Sequence, residues 1–348
     1  GAVDDAALAA AQDAAIRDVV AAQEAHGLPV VSDGEYRRLN WQVSFSRVAG
    51  WDLWEGAWRN FLQFPDNLGA GEKPMQRGAD AVESFKIPAD GKLRLVESFP
   101  TRELRFLKSA ATRPVKIALM GPDRVRQMCD IPKSAPHYAD SASFLADVVA
   151  IQRQIVGELV AEGCDYVQID EPSFTGYVDP ATIARMEARG EDPLKSLKAA
   201  IDADNAVIAG LQGRAVFGLH ICRGNRASMW HREGAYDAIA EQIFGGLAYD
   251  RLLLEYDNER AGTFDPLRYV PKGKMVVLGL VTTKSGALES KADLLKRIEQ
   301  ATRYIPLEQL AISPQCGFAS GIAGNLLTED EQWRKMDLLV EIAHEVWK

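Results

Sequence analysis

Val216-Phe217-Gly218-Leu219-His220-Ile221-Cys222-Arg223 is an apolar run that ends on two metal-ligating side chains with one residue between them. Successive side chains on a strand alternate between faces, so His220 and Cys222 point the same way. At that spacing an imidazole nitrogen and a thiolate sulfur can grip one metal ion. Two more polar residues close apolar runs further along: Glu255 ends Leu252-Leu253-Leu254-Glu255, and Cys316 follows Leu310-Ala311-Ile312-Ser313-Pro314-Gln315. One nitrogen, two sulfurs and one oxygen make a four-ligand set suited to zinc.

Runs of the same kind lie at 28–32, 115–120, 166–169, 216–219, 252–254, 276–281 and 310–312. Stretches of helical period separate several of them, at 144–162, 193–211, 292–304 and 329–347. Near-continuous apolar strands alternating with amphipathic helices predict a parallel sheet buried on both faces, and the regular repeat to the C-terminus favours a (β/α)8 TIM barrel over an open sheet. The expectation is one catalytic α/β barrel domain over residues 1–348. Seven strands are read rather than eight. The chain opens on an Ala-rich helical stretch at 4–26, so the missing strand is expected before it, absent from this sequence or displaced. Residues 36–113 read as a long irregular insertion carrying Trp41, Trp51, Trp54 and Trp58. Tryptophan enrichment argues against disorder, which leaves a lid or a dimer contact, and a homo-oligomer stays open.

Composition narrows the function classes. Of 348 residues 47% are hydrophobic, ample for a large core. Forty Lys and Arg against 49 Asp and Glu give a net charge of -9 with no basic cluster, which argues against a nucleic-acid partner. No apolar run reaches about eighteen residues and no charged-then-apolar leader is seen, so the expectation is a soluble cytoplasmic protein without a membrane partner. Four cysteines are too few for a disulfide scaffold. Cys164 reads as a small packing residue, and Cys129 carries no assigned role.

The C-terminal ends of barrel strands share one face, which gathers residues far apart in sequence. Glu35, Asp170, His220, Cys222, Glu255, Lys284 and Cys316 all fall just beyond such ends. Singly, each has a plain structural reading as a buried His, an inert Cys, a capping carboxylate or an exposed Lys. All four ligand types on one face favour zinc. Asp170-Glu171-Pro172 puts two adjacent carboxylates at the mouth, of which Asp170 keeps the inward register. Asp33-Gly34-Glu35 repeats the pattern, with Arg37 and Arg38 available to a substrate carboxylate or to structural ion pairs. Two thiolate ligands make zinc a weak activator of water but leave it able to hold an incoming thiol as thiolate, so the expected chemistry is alkylation of a thiol, with Glu255 the ligand that loosens.

Asp33-Gly34-Glu35, Met120-Gly121-Pro122, Gln168-Ile169-Asp170-Glu171-Pro172, His220-Ile221-Cys222, Glu255 and Ser313-Pro314-Gln315-Cys316-Gly317 together resemble the C-terminal catalytic barrel of cobalamin-independent methionine synthase, over about residues 28–348. The resemblance implies a barrel like those of that family and of uroporphyrinogen decarboxylase. It implies zinc bound by His220, Cys222, Glu255 and Cys316, homocysteine as the thiol, and Glu35 and Asp170 holding its amine. Four features depart from the family. These 348 residues do not accommodate its second, N-terminal barrel. Its segment for the amino-acid carboxylate is not seen. Its histidine after the seventh strand aligns with Lys284, and the tryptophan that would stack on a pterin is not evident in Gly121-Pro122-Asp123-Arg124-Val125-Arg126-Gln127-Met128. The donor is therefore open between methyltetrahydrofolate, a corrinoid protein and a small molecule. A shorter branch, similar to epoxyalkane:coenzyme M transferase, would use Lys284 at an opening epoxide oxygen or on an anionic group. The expectation is a zinc-dependent thiol alkyltransferase with Lys284 and Asp170 catalytic, Glu35, Asp170 and Arg37 on the substrate, and epoxide opening or a non-catalytic zinc-stabilised barrel as alternatives.

Overall fold

The structure is a computed structural model that describes residues 4–51, 86–322 and 324–348. Trp54, Trp58 and the middle of the tryptophan-rich stretch lie outside the described residues. Two short strands, β1 (Val48–Ala49) and β2 (Arg94–Leu95), form an antiparallel pair. The main sheet holds β3 (Lys116–Met120), β4 (Tyr166–Asp170), β5 (Val216–Ile221), β6 (Arg251–Glu255), β7 (Met275–Val281) and β8 (Leu310–Pro314), all parallel and adjacent in chain order. About half of their residues are Val, Ile and Leu, and most positions from β3 to β7 are buried, as a sheet wrapped by helices requires.

The first apolar run forms a single parallel bridge, Val31 to Val115, instead of a full strand. Val31 N–H donates to Pro114 O at 3.0 Å and Lys116 N–H to Val31 O at 2.8 Å. Pro29 and Pro114 have no N–H to give, so the ladder stops there. The two flanks of the sheet meet. Asn40 bridges Gly321, Ile322 N–H donates to Leu39 O at 2.9 Å, and the His26 ring stacks on Trp333 at 4.5 Å. His26 closes helix α1 (Asp5–Ala25), and Trp333 lies on the last helix, Glu329–Val346, so first and last elements are neighbours, as in a barrel. Six strands and the Val31 bridge make seven positions in this sheet, and an eighth barrel strand is not among the described residues.

Helix α2 (Phe99–Ala110) lies inside the stretch read above as irregular, which corrects that reading. Its buried face includes Phe99, Leu104 and Leu107 but also Glu103, and that buried acid breaks the apolar period. Trp51 is 2% exposed, donates from Nε1 to Ile87 O at 3.2 Å and packs its ring 5.6 Å from Phe144. It is a core residue, not part of a lid; burying such a side chain contributes a few kcal/mol, on the order of the ~1.5–3 typical of large apolar residues. Among the described residues, no helix is long and apolar enough to cross a membrane.

Candidate metal centre

β5 carries His220 to the rim, where its Cα partner is Asp170 at the end of β4. Cys222 is the first residue past that strand, and Cys316 follows β8. His220 Nδ1 lies 3.3 Å from Leu253 O. The ring's other nitrogen, Nε2, is buried with no oxygen or nitrogen partner, and the Cys222 thiol lies within hydrogen-bonding reach of the ring. One ligand atom from each of His220, Cys222 and Cys316 falls within 4.8 Å of the others; His220 and Cys222 are buried and Cys316 is half-buried. A buried imidazole that meets two thiols is placed to bind a metal, and one nitrogen with two sulfurs is a donor set that suits zinc. The side chains present fit that ion.

The thiols share their protons unequally. A hydrogen bond to Cys316, reinforced by burial, pushes Cys222 well above the ordinary thiol range. The same hydrogen bond, aided by the charge of Lys284 and opposed by burial, holds Cys316 below it. Burial disfavours a charged His220, but Cys222, Asp170 and Glu255 outweigh it and raise the ring to about 9.

Glu255 ends β6 on the same rim and is fully buried, yet it stands outside the group formed by the three ligand atoms. Its Oε2 accepts from Arg223 N–H at 2.7 Å and Gln315 Nε2 at 3.3 Å, and its Oε1 from Arg260 Nη2 at 3.3 Å. Burial alone would raise its pKa; Arg223, Lys284 and Arg260 hold it below the usual carboxylate range. The Arg223 guanidinium braces the loop in turn, donating to Gly234 O at 2.7 Å and Glu255 O at 3.2 Å. Lys284, just past β7, is 1% exposed and donates from Nζ to Gly224 O at 2.8 Å and Asn225 Oδ1 at 3.0 Å.

Two carboxylates lie along the same rim, Asp170 beside His220 in the sheet and Glu35 in the field of Asp170. Asp170 Oδ1 accepts from Gln168 Nε2 at 2.7 Å, and Gln168 Oε1 accepts from Lys116 Nζ at 3.2 Å. Glu35 sits in the left-handed region at φ 59°, an uncommon place for a residue with a Cβ, held there as Asp33 Oδ1 accepts its N–H at 2.9 Å. Burial raises the Glu35 carboxyl to about 7; Arg38, 2.9 Å away, opposes this and Asp170 adds to it. Arg38 also grips buried Glu103, at 3.0 Å from Nε and 2.7 Å from Nη2. Arg37 points elsewhere, pairing with Asp13 and lying over the Phe106 ring at 4.7 Å. Of the two arginines, Arg38 is the one at the rim.

Sequence reasoning missed Arg223, Asn225, Gln315 and Lys116. Arg223 and Gln315 are each next in sequence to a candidate metal-binding cysteine, which was the available signal; Lys116 and Asn225 carried none.

Residues 97–344 match the family described as cobalamin-independent synthase, catalytic domain. The protein YxjG of Bacillus subtilis (strain 168), itself uncharacterized, is 36% identical over 334 residues, covering 95% of this chain and 84% of its own. The methionine synthase of Pyrococcus abyssi is 26% identical over 233 residues, covering 67% of this chain and 59% of its own. A Listeria monocytogenes structure assigned to the vitamin-B12-independent methionine synthases is 27% identical, with a TM-score of 0.75 over 100% of this chain and 91% of its own. A B12-independent methionine synthase from Shewanella sp. W3-18-1, solved with selenomethionine, is 19% identical with a TM-score of 0.72 over 99% and 90%, and shares the fold.

Proposed function

Because the chain belongs to the cobalamin-independent methionine synthase family, we propose that it is a zinc-dependent alkyltransferase that methylates a thiol, with homocysteine the acceptor and methionine the product. The observation that carries the reading is the buried Nε2 of His220, with no oxygen or nitrogen partner, in a ring grouped with two cysteine sulfurs. Zinc on His220, Cys222 and Cys316 supplies a Lewis acid that keeps an incoming thiol ionised near neutral pH.

The residues around it select and orient that thiol. Glu35 and Asp170 lie in each other's field, and an ammonium group between them offsets the Asp170 repulsion that adds to the effect of burial on Glu35. An amino thiol such as homocysteine therefore binds with its amine toward Glu35 and Asp170 and its sulfur toward the cysteines. In the transfer the sulfur lone pair forms the new S–C bond, and the donor leaves with the electrons of its broken bond to methyl. Glu255, ionised and fixed by Arg223, Gln315 and Arg260, keeps negative charge at the rim and the loop behind Cys222 in place. The epoxide-opening alternative needs a lysine free to meet an oxygen, and Lys284 Nζ is engaged by Gly224 and Asn225.

The test is methionine formation from homocysteine with three donors in parallel: methyltetrahydrofolate, a methylated corrinoid and a small methyl sulfonium. Activity with one of them that is lost in Cys222→Ser and Cys316→Ser supports the proposal. Turnover that survives both substitutions overturns it.

A further inference from the structure

The loops that follow β5, β7 and β8 are tied together by side chains that reach the chain on both sides of Cys316. Asn225 Nδ2 donates to Gly317 O at 2.7 Å and to Thr283 Oγ1 at 3.4 Å. Its Oδ1 accepts from Lys284 Nζ at 3.0 Å and Asn325 Nδ2 at 2.9 Å. With two donors on the oxygen, the amide can meet Gly317 only through its NH2, so Lys284 and Asn325 dictate which way Asn225 faces. On the other side of Cys316, Gln315 Oε1 accepts from Thr283 Oγ1 at 2.8 Å while Gln315 Nε2 reaches Glu255 at 3.3 Å. Asn225, Thr283, Lys284 and Gln315 are all 7% exposed or less.

Cys316 needs such a tie because the sheet does not place it. β8 ends at Pro314, and the last ladder-like bond is Gln315 N–H to Val281 O at 2.7 Å. The loop after Cys222 is itself held in an unfavourable shape: Ala227 and Ser228 are both left-handed, at φ 45° and 66°. Ser228 N–H donates to Asn325 Oδ1 at 3.0 Å, and Leu326 N–H to Ser228 Oγ at 2.9 Å. Asn325 Nδ2 also donates to Thr283 O at 2.7 Å. The strained loop, the Lys284 segment and the Cys316 segment are thus locked as one body.

We propose that Lys284 and Asn225 are positioning residues that hold Cys316 at ligating distance from Cys222 and His220, and so set metal affinity without touching the metal. This rests on the metal-centre reading above.

The experiment measures zinc affinity of the full chain by chelator competition, together with the visible spectrum of the Co2+-loaded protein, in wild type, Lys284→Met, Asn225→Ala and Asn325→Ala. Outer partners of metal ligands typically contribute ~10–100-fold in affinity, so Lys284→Met and Asn225→Ala are each expected to lose about that much and to shift their Co2+ bands while keeping the far-UV circular dichroism of wild type. Residues acting through one network do not add, so the Lys284→Met/Asn225→Ala pair is expected to be little weaker than the weaker single variant. Asn325 is only partly buried, and Asn325→Ala reads the same tie if Lys284→Met does not fold. Wild type that takes up no zinc overturns the metal-centre reading and this proposal with it. Wild type that binds zinc, beside folded variants with unchanged affinity and Co2+ spectrum, overturns the positioning role alone.

Discussion

The Nδ1 atom of His220 lies 3.3 Å from the carbonyl oxygen of Leu253 on the neighbouring strand. A carbonyl oxygen only accepts, so Nδ1 carries a hydrogen there, and a metal that displaces the proton from Nε2 would meet that nitrogen's lone pair beside the two cysteines. Loss of an outer partner typically costs a metal site ~10–100-fold, so His220→Ala, which removes a ligand, is expected to weaken zinc binding by more than about 100-fold. Chelator competition reads the constant. An unchanged value would take His220 out of the site.

The Glu35 and Asp170 carboxylates predict discrimination by the amine. Glu35→Gln and Asp170→Asn are each expected to raise KM for homocysteine by roughly 10–100-fold, the scale of one charged hydrogen bond, and to leave a thiol lacking the amine unaffected. Equal losses on both thiols would contradict that role.

The same pair sets a pH dependence. Glu35 has its carboxyl raised to about 7, burial being the largest cause, and it must be ionised to accept an ammonium group. Below that pH it is protonated and amine binding weakens; above it the carboxylate is present. The ratio of kcat/KM for homocysteine to that for the amine-free thiol should therefore rise with pH through about 7 and flatten in Glu35→Gln. A ratio that is flat in wild type would rule this out.

Gly121 explains part of the Met120-Gly121-Pro122 motif. A Cβ built there would fall 2.1 Å from Glu171 Oε2 and 2.5 Å from its Cδ. Glu171 is fully buried and caps the turn, accepting from Asp123 N–H at 3.0 Å and Arg124 N–H at 3.3 Å, so it has little room to yield. Gly121→Ala is expected to destabilise the fold by about 1–3 kcal/mol through overpacking. A denaturation midpoint equal to that of wild type would show that Glu171 moves freely.

Metal removal separates an active centre from a structural staple. The three ligands sit at the ends of strands whose core is built without them, so the zinc-free chain should keep its circular dichroism and unfold cooperatively at a lower temperature, by the linkage that any native-state ligand confers. Loss of the fold on chelation would instead favour a zinc-stabilised barrel.

The sequence made the strand ends legible because apolar runs that stop on a polar residue announce a buried strand and its exit. His220, Cys222 and Cys316 were found that way, and the structure gathers them. Glu255 was placed on the correct rim, but its carboxylate answers to the Arg223 amide and to Arg260, partners that no spacing reveals. Arg37 and Arg38 are neighbours that the sequence cannot rank; the turn closed by Arg38 N–H on Glu35 O, 2.8 Å, brings Arg38 inward. α2 was hidden because Glu103, the residue that breaks its apolar face, is buried against Arg38. The first strand shrank to one bridge because two prolines flank its pairing, and Lys284 looked available because its acceptors, Gly224 and Asn225, belong to a loop far away in sequence.

Zinc-edge X-ray absorption of the purified protein, recorded with and without homocysteine, reads the metal's ligands and the arriving thiol in one experiment. The expected spectrum shows two sulfurs and an imidazole nitrogen around the metal, joined by a third sulfur when homocysteine is added. A shell that stays the same with saturating homocysteine, or one that contains no sulfur at all, would contradict it.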